Sequence, residues 1–261
     1  MYNKYKKLII WVILIGIVYL SSGLAIAEDI TWKEKKSKHF IIYYQEATSE
    51  YISQIIAKAE HYYIKITDDF GYRRYKFWLW EDRCRIYLYP DQDMYLSHSG
   101  KANWTRAYVN VVEKKITTFI WQDNFFDTIL PHELAHIIFR EFVGFDKDIP
   151  LCLDEGLACM QEKDKQERLD IAKSLVRLKL HISVEQLFKL KTDSVIIPFI
   201  FYSESASIVN FLFEKFGDEK FVFFCRRIRD GQDYEEALLS TYKFVDLEEL
   251  GNAWIEYVNK D

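Results

Sequence analysis

The chain has 261 residues, 49% of them hydrophobic and 29% charged, with only 9 Gly and 4 Pro. That composition supports a sizeable core and excludes disordered, collagen-like and Pro-rich linker classes. The formal net charge of −5 argues against a nucleic-acid partner, which requires a basic footprint.

Lys4, Lys6 and Lys7 precede an apolar run from Leu8 to Leu20, followed by Ala25-Ile26-Ala27. A basic start, an apolar run and a small-residue cleavage site describe a signal peptide over residues 1–27. The competing reading is an uncleaved anchor. Residues 8–27 carry no charge and are just long enough to cross a bilayer, which would associate the chain with the membrane. Both readings place residues 28–261 outside the cytoplasm: periplasmic, extracellular or held on the outer face of the membrane.

Beyond the lysine-rich run Lys33 to Lys38, read as a solvated start, the pattern is first that of strands. Lys38–Tyr44 is rich in β-formers, and Arg83–Tyr89 alternates Cys84, Ile86 and Leu88 against Arg85, Tyr87 and Tyr89. Arg106–Val112 and Lys115–Trp121 flank Glu113-Lys114 as a tight hairpin. One long amphipathic helix, Thr48–Phe70, interrupts these strands. From residue 125 onward the periodicity is helical, with Gly217 as a C-cap. Strands first and helices later predict an α+β fold. A small, mostly antiparallel sheet with its long helix would fill 28–122, and a mainly helical lobe 123–261.

Four cysteines, Cys84, Cys152, Cys159 and Cys225, permit two disulfides in an oxidising compartment or four buried thiols.

The chemistry concentrates at Leu130-Pro131-His132-Glu133-Leu134-Ala135-His136. Histidines four apart share one helical face, so His132 and His136 can present ring nitrogens to one metal ion. Glu133, one residue round, reaches a water rather than the metal. Pro131 cannot donate a helical hydrogen bond to residue 127, which predicts a kink or a helix start. After eighteen intervening residues from His136 comes Glu155, within Pro150-Leu151-Cys152-Leu153-Asp154-Glu155-Gly156-Leu157-Ala158. Two imidazoles and one carboxylate leave a fourth tetrahedral position open, as catalytic zinc requires. The bland alternative for Glu155 is a solvated acid at a helix start. Gly156 would permit close approach of a second helix.

H-E-x-x-H followed after eighteen residues by E-G-x-A resembles the gluzincin zinc metallopeptidases of the thermolysin-like clan. The finer pattern, L-P-H-E-L-A-H, then P-x-x-L-x-E-G-L-A, then Y-x-x-S at Tyr202, is similar to the peptidase-MA-like group near the M1 type. The resemblance implies one Zn2+ per chain on His132, His136 and Glu155, with Glu133 as general base. It also implies Tyr202 facing the metal as an oxyanion donor, a peptide or protein substrate, and a single zincin-like domain over 28–261. The strand Lys115–Trp121 runs into the active helix; were it a sheet edge, an extended peptide would pair with it. Cys159 stands where thermolysin-like enzymes place an acid that orients a histidine, which leaves Glu162 and Asp127 as candidates for that task. No G-x-M-E-N exopeptidase motif is present. Two rival functions are a zinc-binding pseudoenzyme or structural module of the cell envelope, and a zinc hydrolase of non-peptide amides.

Overall fold

The computed structural model describes residues 31–71, 78–100, 106–120 and 124–260. The signal or anchor segment 1–27 lies outside the described residues. From Lys33 onward the chain packs as one unit. Among the described residues, no helix is long and apolar enough to cross a membrane.

The fold is α+β. Five strands form one sheet in the order β1-β2-β3-β5-β4: β1 Lys33–Lys36, β2 Phe40–Tyr44, β3 Cys84–Tyr89, β4 Ala107–Asn110 and β5 Lys115–Phe119. The antiparallel pairings sit at the two edges, where β1 meets β2 and β4 meets β5. The inner pairings, β2 with β3 and β3 with β5, are parallel. Their cause is the crossovers. Helix α1 (Ser49–Asp69) carries the chain back between β2 and β3, and α2 (Gln92–Ser99) with β4 carries it from β3 to β5. Parallel neighbours need such long connections, whereas an antiparallel pair needs only a turn.

Two local differences from the sequence pattern follow. The lysine run forms β1, whose residues are all exposed; charge on an outer strand blunts edge-to-edge association. The β4–β5 turn takes four residues, 111–114, with Lys114 at φ 49° and Asn110 Oδ1 accepting from Glu113 N at 3.1 Å. The strand Lys115–Phe119 is interior, flanked by β3 and β4, and the outer strand on that side is β4.

One sheet face is apolar. Ile42, Ile86, Leu88 and Ile116 are buried there against Ile52, Ile55, Ala59 and Ile66 of α1 and Leu134, Ile137 and Ile138 of the next helix, α3. Helix α3 (Leu130–Val143) follows directly on one π-helical turn, Phe125–Ile129, closed by Leu130 N on Phe125 O. Pro131 falls in the first turn of α3, where its missing N–H costs nothing. Then come α4 (Leu151–Cys159), α5 (Lys165–Leu178), α6 (Val184–Lys189), α7 (Pro198–Phe216), α8 (Asp218–Arg229), α9 (Tyr234–Tyr242) and α10 (Leu247–Asn259). Helix α7 packs against α4, α5, α8 and α10, and Trp254 of α10 donates to Ser207 Oγ of α7 at 3.0 Å. All four cysteines are buried, and none of them forms a disulfide.

Helix α7 also buries a carboxylate that no cation among the described residues pairs with. Glu204 has no exposed surface and accepts from Ile182 N at 3.0 Å. Burial pushes its carboxyl up to about 7. An acid whose folded pKa exceeds its unfolded value near 4.5 destabilises the fold as pH rises through that window, because the unfolded chain ionises first. Glu204→Gln keeps an acceptor for Ile182 and removes the ionisation. Its stability advantage over the parent should grow from about pH 4.5 to about pH 7, reach about 3 kcal/mol and then stay level. Urea unfolding of both proteins across that range checks this; a gap that does not change with pH refutes it.

Candidate metal centre

Helix α3 presents His132 and His136 one turn apart, and their Nε2 atoms face each other at 3.1 Å. Helix α4 brings Glu155 to the same point, with Oε2 3.4 Å from His132 Nε2 and 3.5 Å from His136 Nε2. The ligand atoms of the three residues lie within 4.8 Å of one another. Glu155 Oε2 is buried and closes a hydrogen bond with neither imidazole. Two nitrogen lone pairs and an unbonded buried carboxylate oxygen converging on one point would be unfavourable as a purely structural cluster. They fit a zinc ion, which takes nitrogen and oxygen donors and leaves a position open. Glu133 joins α3 from the side, half-buried.

Each histidine is held from behind. His132 Nδ1 donates to Glu162 Oε1 at 2.7 Å, and Arg168 grips Glu162 Oε2 through Nε at 2.7 Å and a terminal nitrogen at 2.6 Å. His136 Nδ1 donates to Asp154 Oδ1 at 2.8 Å, and Arg140 Nε donates to Asp154 Oδ2 at 2.6 Å. These two imidazole–carboxylate–guanidinium arms fix both Nε2 lone pairs toward the centre. Glu162 thus fills the role left open between it and Asp127. Asp127 instead pairs with Lys58 Nζ at 2.6 Å and accepts from Tyr62 at 3.0 Å, tying the π turn to α1. Asp154 escaped sequence reasoning. Its only signal was an acid beside Glu155, which reads equally well as a helix-start residue.

The electrostatics agree with this division of labour. Burial lifts Glu133 above the usual carboxylate range, and the two imidazoles only partly oppose it. Burial acts the same way on Glu155, but there the imidazoles win and hold it well below that range. Burial also works against charge on Asp154, where His136 and Arg140 prevail and lower it. So the residue at the flank binds a proton readily, while the residues facing the metal point and its support stay ionised.

Tyr202 lies in the second turn of α7, which begins at Pro198. Burial, then the nearby Glu155 charge, pushes its phenol up to about 12. Arg168 sits 5.7 Å from its ring centroid. The phenol is therefore within electrostatic reach of Glu155 and His132. Helix α7 can come this close to α4 because residue 156 is glycine. A Cβ there would lie 2.7 Å from both Ser205 C and Val209 Cγ2 and against Ser205 O.

A family model described as the peptidase MA superfamily matches residues 81–260. No curated protein matches the chain.

Proposed function

This chain belongs to the peptidase MA superfamily, and from that premise we propose that it is a zinc-dependent peptidase acting outside the cytoplasm. The observation that carries the reading is the convergence of His132, His136 and Glu155 within 4.8 Å, with a half-buried Glu133 beside them. The placement outside the cytoplasm is supported by Lys4, Lys6 and Lys7 ahead of an uncharged run to Ala27.

His132, His136 and Glu155 would hold the metal. Zinc supplies Lewis acidity when bound, polarising a carbonyl and making water a better acid. Everything else falls to side chains. Glu133 takes a proton from the attacking water and delivers it to the leaving amine, a task suited to a carboxylate whose hold on a proton is strengthened by burial. Tyr202 donates its phenolic proton to the oxygen on which charge develops; burial keeps that phenol protonated. The arms ending in Arg140 and Arg168 keep the imidazoles from turning. The outer strand β4 packs beside α3, so an extended substrate added to β4 would run along the active helix.

The full chain should hold about one zinc, and His132→Ala none. Peptide cleavage should stop with chelator and return with zinc. A parent that takes up no zinc on reconstitution rejects the reading in favour of a structural envelope module. Cleavage of wall-type amides but not of peptides would reassign the substrate. Tyr202→Phe should lower kcat about 10–100-fold with zinc content unchanged; steady-state kinetics beside metal analysis checks it, and an unaltered kcat returns Tyr202 to the core.

A further inference from the structure

An apolar groove ahead of α7 has no task in the proposed mechanism. Pro198 opens that helix, and a residue before proline is held out of the helical region. Ile197 accordingly arrives at φ −124° and ψ 88°. Phe201 turns into the core, but Ile196 is 91% exposed, the most exposed large apolar side chain among the described residues. Ile197 and Phe199 are more than half exposed, as are Leu178 and Leu180 around the end of α5. Leu180, Ile196 and Ile197 line one groove of about 670 Å³ together with Leu190, Val195 and Lys189. Removing apolar area from water is favourable, and a contiguous exposed patch of it marks an interaction site.

Charge narrows the kind of partner. Residues 173–200 hold five cations, Lys173, Arg177, Lys179, Lys189 and Lys191, against two acids, Glu185 and Asp193, a net +3 within a chain of −5. Lys179 ends α5 at φ 58° between Leu178 and Leu180, and all three are exposed. Lys189 and Lys191 lean on Glu185 at 2.7 Å and Asp148 at 3.8 Å, with all four side chains more than half exposed. Ion pairs so exposed hold weakly, so both cations can turn to another anion. A second copy of the chain fits poorly, because a self-complementary interface would bring two such basic patches together. Apolar side chains ringed by long cationic ones suit a lipid surface. The former enter the boundary of the acyl chains, and the latter stay level with anionic headgroups.

We infer that this groove and its rim dock on an anionic lipid bilayer, with Ile196, Ile197 and Phe199 entering it and Lys179, Lys189 and Lys191 meeting the headgroups. None of these residues belongs to the metal centre, so the inference does not rest on the peptidase reading.

Residues 33–261 pack as a unit by themselves. The test therefore uses the chain from Glu28, without the apolar segment that would itself enter vesicles. It should sediment with vesicles of phosphatidylcholine containing about one third phosphatidylglycerol. Vesicles of phosphatidylcholine alone, or raised salt, should weaken binding about tenfold. Ile196→Ser combined with Phe199→Ser should weaken it about tenfold, as should Lys189→Gln combined with Lys191→Gln. Val245→Ser, at a side chain 84% exposed outside the groove, should change nothing. Every replaced side chain is exposed, so Tm should stay at the parent value in each variant. No binding to the anionic vesicles overturns the inference, and so does equal binding by the Ile196→Ser, Phe199→Ser protein. A parent dimer that this variant dissociates, with no vesicle binding, assigns the patch to a second copy and also overturns it.

Discussion

Replacing Glu133 with Gln should lower kcat by about 10²–10⁴ and leave the zinc content of the protein at the parent level. The substitution preserves size and shape but removes the carboxylate assigned to accept the proton beside the metal point. The three ligand atoms belong to His132, His136 and Glu155, and the supporting arms run through Glu162 and Asp154, so metal retention should be untouched. Loss of zinc together with activity would show that Glu133 is structural. Full activity with zinc in place would show that another group accepts the proton. Kinetics and metal analysis on the same preparation separate these outcomes.

Gly156→Ala should have the largest effect on stability. Helix propensity alone favours the change by about 1 kcal/mol. Packing opposes it, because the new Cβ meets the Ser205 carbonyl and lies 2.7 Å from Val209 Cγ2. A side chain can rotate away, but helical backbone cannot. The seam between α4 and α7 must open, at a cost of about 3 kcal/mol or more. For a chain of this size that lowers Tm by about 6–12 °C. Opening the seam also shifts Glu155, one residue away, relative to Tyr202, so zinc affinity should fall with Tm. Calorimetry and zinc titration measure both. A Tm within a degree of the parent would mean that the seam gives way freely.

The metal point was legible because its spacing is that of one helical turn. His132 and His136 must share a face wherever that helix lies, and Glu155 needed only a helix returning nearby. The arms behind them were not legible. Whether Glu162 or Asp127 reaches His132 depends on how the chain turns after Cys159, and nothing local encodes that turn. Among the elements, β3 announced itself by strict alternation, and its burial alternates accordingly. Helix α2 did not, because it is short and buries only Tyr95. The parallel inner pairings were also hidden, since strand composition records which face is buried but not which neighbour lies alongside.

The four buried cysteines, none of them in a disulfide, set one further property of the molecule. Burial pushes the Cys84 and Cys152 thiols far up and raises Cys159, so little nucleophilic thiolate is present in the folded chain. Folding therefore involves no oxidation step, no choice among pairings and no dependence on an isomerase. A chain made in reducing cytosol and one matured in an oxidising space should arrive at the same native state. Recombinant production then needs no oxidative refolding, and reductant can accompany purification while chelating thiols are kept away from the metal.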